Sequence, residues 1–272
     1  MNGLAEKKER LRQSLEAMES AAVAFSAGVD SSFLAKFARD ILGDRLLAVT
    51  VKGAFMPKRE LEEAEAFCKE NGIAQEIIEL DAMSIAEFCN NTPDRCYHCK
   101  KWIFTGIKHA AARHGIRNII DGSNLDDLSD YRPGMRALEE LGIISPLRDA
   151  GLTKAEIREL SKELGLETAD KPSFACLATR IPTGDIITLE KLEMAEKAEQ
   201  KLFELGFKQF RVRIHGRAAR IEILPEEFPH ILAPGTAGEI NAYLRQLGFA
   251  FVTLDLGGYR TGSTNLSALN KQ

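Results

Sequence analysis

An apolar run that passes straight into a turn of small residues and then into a helix leaves few folds open, and residues 21–37, AAVAFSAGVDSSFLAKF, are such a run. Ala21 to Phe25 are apolar at consecutive positions, which suits a strand buried on both faces; Phe33, Leu34, Phe37 and Ile41 then recur at helical spacing up to Gly43. The pattern repeats. LLAVTV (46–51) reads as a strand, 57–71 as a helix closed by Gly72, QEIIEL (75–80) as a strand and 97–115 as a helix closed by Gly115. NIID (118–121) and GIISPL (142–147) read as two more strands before a helix over 153–164, and Leu4, Leu11, Leu15 and Met18 predict a helix ahead of the first strand. Continuous apolar strands separated by helices call for crossover connections, so the expected class is α/β, with a parallel sheet covered by helices on both faces.

Near residue 185 the pattern changes. A charged amphipathic helix (188–205) is followed by KQFRVRIHG and RAARIEIL, two alternating strands joined by a tight turn at Gly216, then a helical stretch (236–248), a strand FAFVTLDL (249–256) and GGYRTGSTN. This predicts a smaller α+β domain, with TRIPTGDIIT (179–188) as linker and domains at 1–184 and 185–272.

Bulk properties narrow the function classes. No run of about 18 apolar residues occurs, and the first twenty residues are too charged for a signal peptide, so a cytoplasmic protein without membrane contact is expected. A net charge of −4 argues against a general nucleic-acid surface. The odd count of 5 cysteines points away from a disulfide framework and toward thiol chemistry or metal binding.

The first strand-to-helix junction is where an open parallel sheet presents a ligand site, and a helix start there aims free amides and positive dipole outward. Phosphate is the natural guest. Ser26, Ala27, Gly28 and Val29 are candidates to bring backbone close to an anion, and Ser31 and Ser32 add hydroxyls. Asp30 repels phosphate unless Mg²⁺ intervenes or unless it caps the helix. The other reading is a plain turn capped by Asp or Ser, with no ligand. Asp121, Ser123 and Asn124, at the end of the fourth strand, stand where the same sheet edge presents side chains.

Cys96 and Cys99 form one C-x-x-C at a helix start, compatible with half a zinc site, a redox pair or two ordinary thiols. Cys176 lies in DKPSFACLATRIPTG, an irregular stretch flanked by Lys171 and Arg180, a setting typical of an accessible, reactive thiol. Cys68 and Cys89 sit in periodic apolar patterns and read as ordinary thiols. Arg211 and Arg213 share one face of a strand, and with Arg260 they suit a clamp on a substrate phosphate; the alternative is an exposed edge studded with charge. Acidic and basic residues balance over 185–272, 11 of each, so the arginines are a local concentration. Tyr97 is a candidate to stack on a substrate ring, with simple packing as the alternative, and the histidines show no metal spacing.

SAGVDSS resembles the S-G-G-x-D-S signature of the PP-loop ATP pyrophosphatases, with Ala27 in place of one of its glycines. Together with RCYHCKK, DGSNLDDLSDYRPGMRA (121–137), SPLRD, DKPSFACLATRIPTG and LDLGGYRTGSTN, in that order along most of the chain, it resembles the LarE family of ATP-dependent sulfur transferases. The resemblance implies MgATP bound at 26–32 and Ser123, and adenylation of a carboxylate of pyridinium-3,5-biscarboxylic acid mononucleotide. It also implies conversion of that carboxylate to a thiocarboxylate for the nickel-pincer nucleotide, with Asp30 and Cys176 as catalytic residues. Mg²⁺ would ride on the ATP phosphates. Sulfur would come from Cys176 itself or from sulfide on a 4Fe–4S cluster held by Cys96, Cys99 and Cys176. The implied partner is a small-molecule nucleotide, and the implied assembly a homo-hexamer. Other readings are a tRNA or small-molecule thiolase, an amide-forming ligase like NAD or GMP synthetase, and a non-catalytic nucleotide-binding regulator.

Overall fold

The structure, a computed structural model, describes residues 3–129, 133–172 and 175–260. Parts of three of the motifs, at 130–132, 173–174 and 261–265, lie outside the described residues. Helix α1 (Gly3–Glu16) leads into β1 (Ala21–Ala24), α2 (Val29–Leu42), β2 (Leu46–Lys52), α3 (Lys58–Glu70), β3 (Ala74–Glu79), the short α4 (Ala86–Cys89), α5 (Arg95–Arg113) and β4 (Asn118–Ile120). Three further helices follow, α6 (Pro133–Glu140), α7 (Pro146–Asp149) and α8 (Lys154–Glu163). The strands form one sheet in the order β3-β2-β1-β4, and every pairing in it is parallel, with Ala21 opposite both Leu46 and Asn118.

Both faces of that sheet are covered, which is why its strands are apolar without alternation. Ala21 and Val23 of β1, with Leu46 and Ala48 of β2, pack into one core with Leu11 of α1, Phe33 and Leu34 of α2, Phe67 of α3 and Ile157 of α8. The residues between them, Ala22, Leu47 and Val49, are equally buried but face the other way, as a period of two requires, where α5 crosses all four strands with Phe104 and Ile107. The strand expected at 142–147 is reduced to a single parallel bridge between Ile144 and Ile120. Pro146, without an N–H to give a ladder, instead opens α7.

The chain divides into two units, Met1–Phe88 with Asp94–Phe174, and Cys89–Pro93 with Ala175–Gln272. The second contains α9 (Leu189–Glu204), started by the Thr188 hydroxyl accepting from Lys191 N at 3.2 Å, then β5 (Phe210–His215), β6 (Ala218–Ile223), α10 (Phe228–Leu232), α11 (Pro234–Gln246) and β7 (Phe251–Leu254). β5 and β6 are antiparallel across Gly216, whose φ of 57° the turn requires, and β7 joins β6 in parallel. Asn91 serves as this unit's clasp: its Nδ2 donates to the carbonyls of Ile181 and Pro182, and its own carbonyl accepts from Gly184 N at 3.0 Å.

Candidate functional site

α2 begins at the sheet's carboxyl edge with Gly28 as N-cap, in extended backbone (φ −80°, ψ 165°), and among the described residues no side chain caps it. Ser32 N is the first amide to close the helix, on Gly28 O at 2.9 Å, so the amides of Val29, Asp30 and Ser31 precede the hydrogen-bonded ladder. The plain capped turn is therefore not what forms. Ser31 holds the loop closed instead: its hydroxyl donates to Gly28 O at 3.2 Å, accepts from Ser26 N at 3.4 Å and lies 3.2 Å from the Ser26 hydroxyl. Asp30 pairs with Lys154 Nζ at 2.5 Å and accepts from Asn124 Nδ2 at 3.4 Å. Burial pushes the Asp30 carboxyl above its ordinary range, with Lys154 pulling the other way.

A cleft of about 320 Å³ opens in front of this helix start. Val49, Val51, Met56, Ile103, Phe104 and Ile107 make one part of its wall apolar, while Ser26, Gly28, Asp30, Ser31, Ser123 and Asp127 supply polar groups. An apolar slot continuous with an uncapped helix start suits a heterocycle joined to phosphates. Ser26 is exposed; Ala27, Val29 and Ser32 are buried and are not part of the wall. Asp121, also in the wall, accepts from the Ser123 and Ser145 hydroxyls at 2.5 and 2.6 Å, which fixes the end of β4.

Gly122 lies against the first turn of α2, where a Cβ would sit 3.0 Å from Ser31 N and 3.2 Å from the Asp30 carbonyl carbon. Backbone cannot yield as a flexible side chain does. Gly122→Ala is therefore expected to cost about 1–3 kcal/mol of stability by overpacking, read from urea unfolding, and to displace the start of α2.

In the second unit Cys176 is half-buried at the head of a short 3₁₀ turn, Leu177–Arg180. Its carbonyl accepts from Thr179 N at 3.0 Å, Thr179 Oγ1 at 2.8 Å and Arg180 Nη1 at 3.3 Å. Arg180 is fully buried and grips Glu199 of α9 in a fork, Nε to Oε1 at 2.6 Å and Nη2 to Oε2 at 2.8 Å, while Nη1 also reaches Ala175 O at 2.9 Å. Glu199 Oε1 accepts in turn from Val212 N of β5 at 2.9 Å. Burial opposes the Arg180 charge, but Glu199 outweighs it and holds the guanidinium above its ordinary pKa.

Arg211 and Arg213 are 3% and 6% exposed, so they are not charges on a solvated edge. Arg213 forks onto Glu222 at 3.2 and 3.0 Å and donates to Thr179 O at 2.7 Å. Arg211 donates to Phe210 O at 2.6 Å and lies 5.2 Å from the centre of the Tyr259 ring. Its pKa is pushed down to about 10, first by burial and then by the Arg180 charge. Arg260 is exposed, its guanidinium beside Gly257, where a Cβ would come within 2.9 Å of Nη2. Two cations that the sequence does not single out as site residues, Arg180 and Lys154, are each bonded to a carboxylate outside their own turn of chain and so carry no local signal.

Cys96 and Cys99 occupy the first turn of α5, Cys96 exposed with Arg95 Nη2 3.8 Å from its sulfur, Cys99 buried. Tyr97 packs between elements: its hydroxyl donates to Glu140 at 2.7 Å and Arg136 lies 3.9 Å from its ring centre. Cys68 is a core thiol that burial pushes up to about 12. Among the described residues, no three His, Cys, Asp or Glu side chains are grouped to hold a metal ion, and no helix is long and apolar enough to cross a membrane.

Comparison with known proteins agrees with this arrangement. The family model described as NAD synthase matches residues 4–106, which hold the α2 junction and the first three strands. A protein of Synechocystis described as uncharacterized (slr1717) is 40% identical over 96% of this chain and 98% of its own. One component of the glutamine-hydrolyzing GMP synthase of Methanococcus vannielii is 31% identical over 65% of this chain and 60% of its own. Pyridinium-3,5-bisthiocarboxylic acid mononucleotide synthase of Lactiplantibacillus plantarum is 36% identical over 97% of this chain and 96% of its own. Near-complete mutual coverage, on a parallel PP-loop sheet whose α2 starts without a side-chain cap, makes this chain a member of the LarE family of PP-loop enzymes.

Proposed function

We propose that the chain is an ATP-dependent sulfurtransferase that converts a carboxylate of pyridinium-3,5-biscarboxylic acid mononucleotide to a thiocarboxylate, in the synthesis of the nickel-pincer nucleotide. The observation that carries this reading is the uncapped start of α2 opening on a half-apolar cleft, in a chain that aligns end to end with a synthase of that name. The adenosine of ATP fits the apolar wall, and its phosphates fit the amides of residues 28–31 and the hydroxyls of Ser26, Ser31 and Ser123. Asp30 and Asp127, which repel one another across the same wall, are a fitting place for Mg²⁺; the ion supplies charge neutralisation of departing pyrophosphate.

The chemistry balances in three steps. A substrate carboxylate oxygen attacks the α-phosphorus, forming an acyl adenylate and expelling pyrophosphate, which turns a poor leaving oxygen into a good one. Cys176 Sγ then attacks the acyl carbon and displaces AMP, giving a thioester. Removal of the Cys176 Cα proton with cleavage of its Cβ–Sγ bond releases the thiocarboxylate and leaves dehydroalanine in the chain. Arg211, Arg213 and Arg260 are proposed to bind the substrate's 5′-phosphate; two buried guanidiniums on one strand face, one with its charge disfavoured, are suited to a dianion.

Sulfide on a 4Fe–4S cluster is a second source of sulfur. Cys96 and Cys99, at i and i+3 of α5, would be two of its ligands and Cys176 the third. We place the enzyme in the cytoplasm, as a homo-oligomer of hexameric type acting on a small nucleotide, without nucleic acid.

The deciding experiment measures pyrophosphate release from MgATP with and without the pyridinium mononucleotide. Release only with it, followed by loss of H₂S mass from the intact protein, is expected. Release driven by a different carboxylate and ammonia would reassign the chain to amide-forming ligases, release driven by tRNA to tRNA thiolases, and binding without release to a regulator. Iron and sulfide in anaerobically purified protein, with repeated turnover and unchanged mass, would make the cluster the sulfur source. Light scattering that finds only monomer at micromolar concentration would overturn the assembly.

A further inference from the structure

Lys171 uses all three of its ammonium protons on one spot of the fold. It donates to Ala27 O at 2.9 Å, to Glu60 Oε2 at 3.1 Å and to Glu63 of α3. The ammonium is not part of the cleft wall, and its side chain is only 13% exposed. Ala27 has φ of 53°, the left-handed region that a residue with a Cβ rarely takes and that glycine takes freely. It is also the position where S-G-G-x-D-S carries a glycine. A trans peptide sets its carbonyl and the next N–H on opposite sides, so a carbonyl turned to Lys171 turns Gly28 N–H away from it. Gly28, unlike Lys171, lines the cleft.

We propose that Lys171 is a positioning residue for the nucleotide loop: by holding the Ala27 carbonyl it keeps a strained Ala27–Gly28 peptide turned with its N–H available to the pyrophosphate part of ATP. The inference rests on the proposed use of this loop for MgATP. Glu60 and Glu63 serve to place the ammonium. Glu60 is 7% exposed, its second oxygen has no hydrogen-bond partner among the described residues, and burial pushes its carboxyl above its ordinary range against the pull of Lys171. Removing Lys171 alone would thus leave a buried carboxylate unpaired and confuse two effects.

The test is a binding cycle by titration calorimetry with MgATP and with inorganic pyrophosphate, in a charge-balanced Glu60→Gln background, which removes the buried carboxylate that loss of Lys171 would strand and keeps Glu63 to place the ammonium. There, Lys171→Met is expected to weaken both ligands about tenfold, and adding Ala27→Gly to return most of that loss, because glycine needs no help to hold a left-handed turn. Ala27→Gly with Lys171 present should change affinity less than about twofold. Equal affinity with and without Lys171, or a loss that Ala27→Gly does not return, overturns the inference. Lys171→Gln on the native carboxylates is the second variant should the balanced background fail to fold, and the same return by Ala27→Gly is required of it. Wild-type protein that binds neither ligand sinks the nucleotide reading itself, a result distinct from any of these.

Discussion

Cys176→Ala is expected to leave adenylation intact and to abolish sulfur transfer. The candidate nucleotide loop and every residue lining the cleft belong to the first unit and Cys176 to the second, so the substitution changes none of the residues proposed to bind ATP. Pyrophosphate release in a single turnover should persist, and thiocarboxylate formation should fall by about 10⁴-fold or more, the scale of removing a covalent nucleophile. Its backbone makes the variant a clean one. The Cys176 carbonyl accepts from Thr179 and Arg180, and alanine at this position keeps those bonds. Quenched-flow measurement of pyrophosphate and mass spectrometry of product and protein separate the two steps. Thiocarboxylate formed at wild-type yield by Cys176→Ala would remove this residue from the chemistry on either sulfur route.

The irregular turn that carries Cys176 was readable in the sequence because proline and flanking cations coincide there, and the strand-to-helix junction at 26–31 because a strand, a small-residue turn and a helix are all local features. The parallel sheet was readable for the same reason: burial on both faces writes itself as unbroken apolar runs. Residues 142–147 misled because Ile143 and Ile144 look like the start of a strand, while Pro146 ends pairing after one bridge. The mixed direction of β7 beside β6 left no trace, since strand alternation says nothing about which neighbour a strand takes. What stayed hidden in the site was long-range. Lys154 sits in an ordinary first helical turn, started by a Thr153–Glu156 capping box, and only the fold brings it to Asp30. Lys171 reads as one more charge near Cys176 until its ammonium is found on the Ala27 carbonyl. Sequence patterns mark what a residue does to its own backbone; pairing across more than a hundred residues is decided by topology.

Arg180→Met is expected to produce the largest loss of stability, about 3–5 kcal/mol, because it leaves Glu199 charged and buried without its partner. Arg180 is 0% exposed and Glu199 6%, so solvent screens little of the pair. The fork itself carries less net stabilisation than that figure, since both ions were stripped of water to form it. A double variant reveals the difference. Glu199→Gln removes the charge but keeps an oxygen for Val212 N, so Arg180→Met/Glu199→Gln should recover most of the loss, with a coupling of about 1–3 kcal/mol in urea unfolding. Recovery should not extend to the sulfur-bearing turn. Arg180 Nη1 also holds the carbonyls of Ala175 and Cys176, and neither substitution replaces those bonds. The double variant is therefore expected to be stable yet loose at Cys176, with faster alkylation of that thiol by mass spectrometry and slower transfer to the adenylate. Wild-type alkylation in a stable double variant would confine Arg180 to neutralising Glu199; faster alkylation would mean that the buried arginine sets where the sulfur stands.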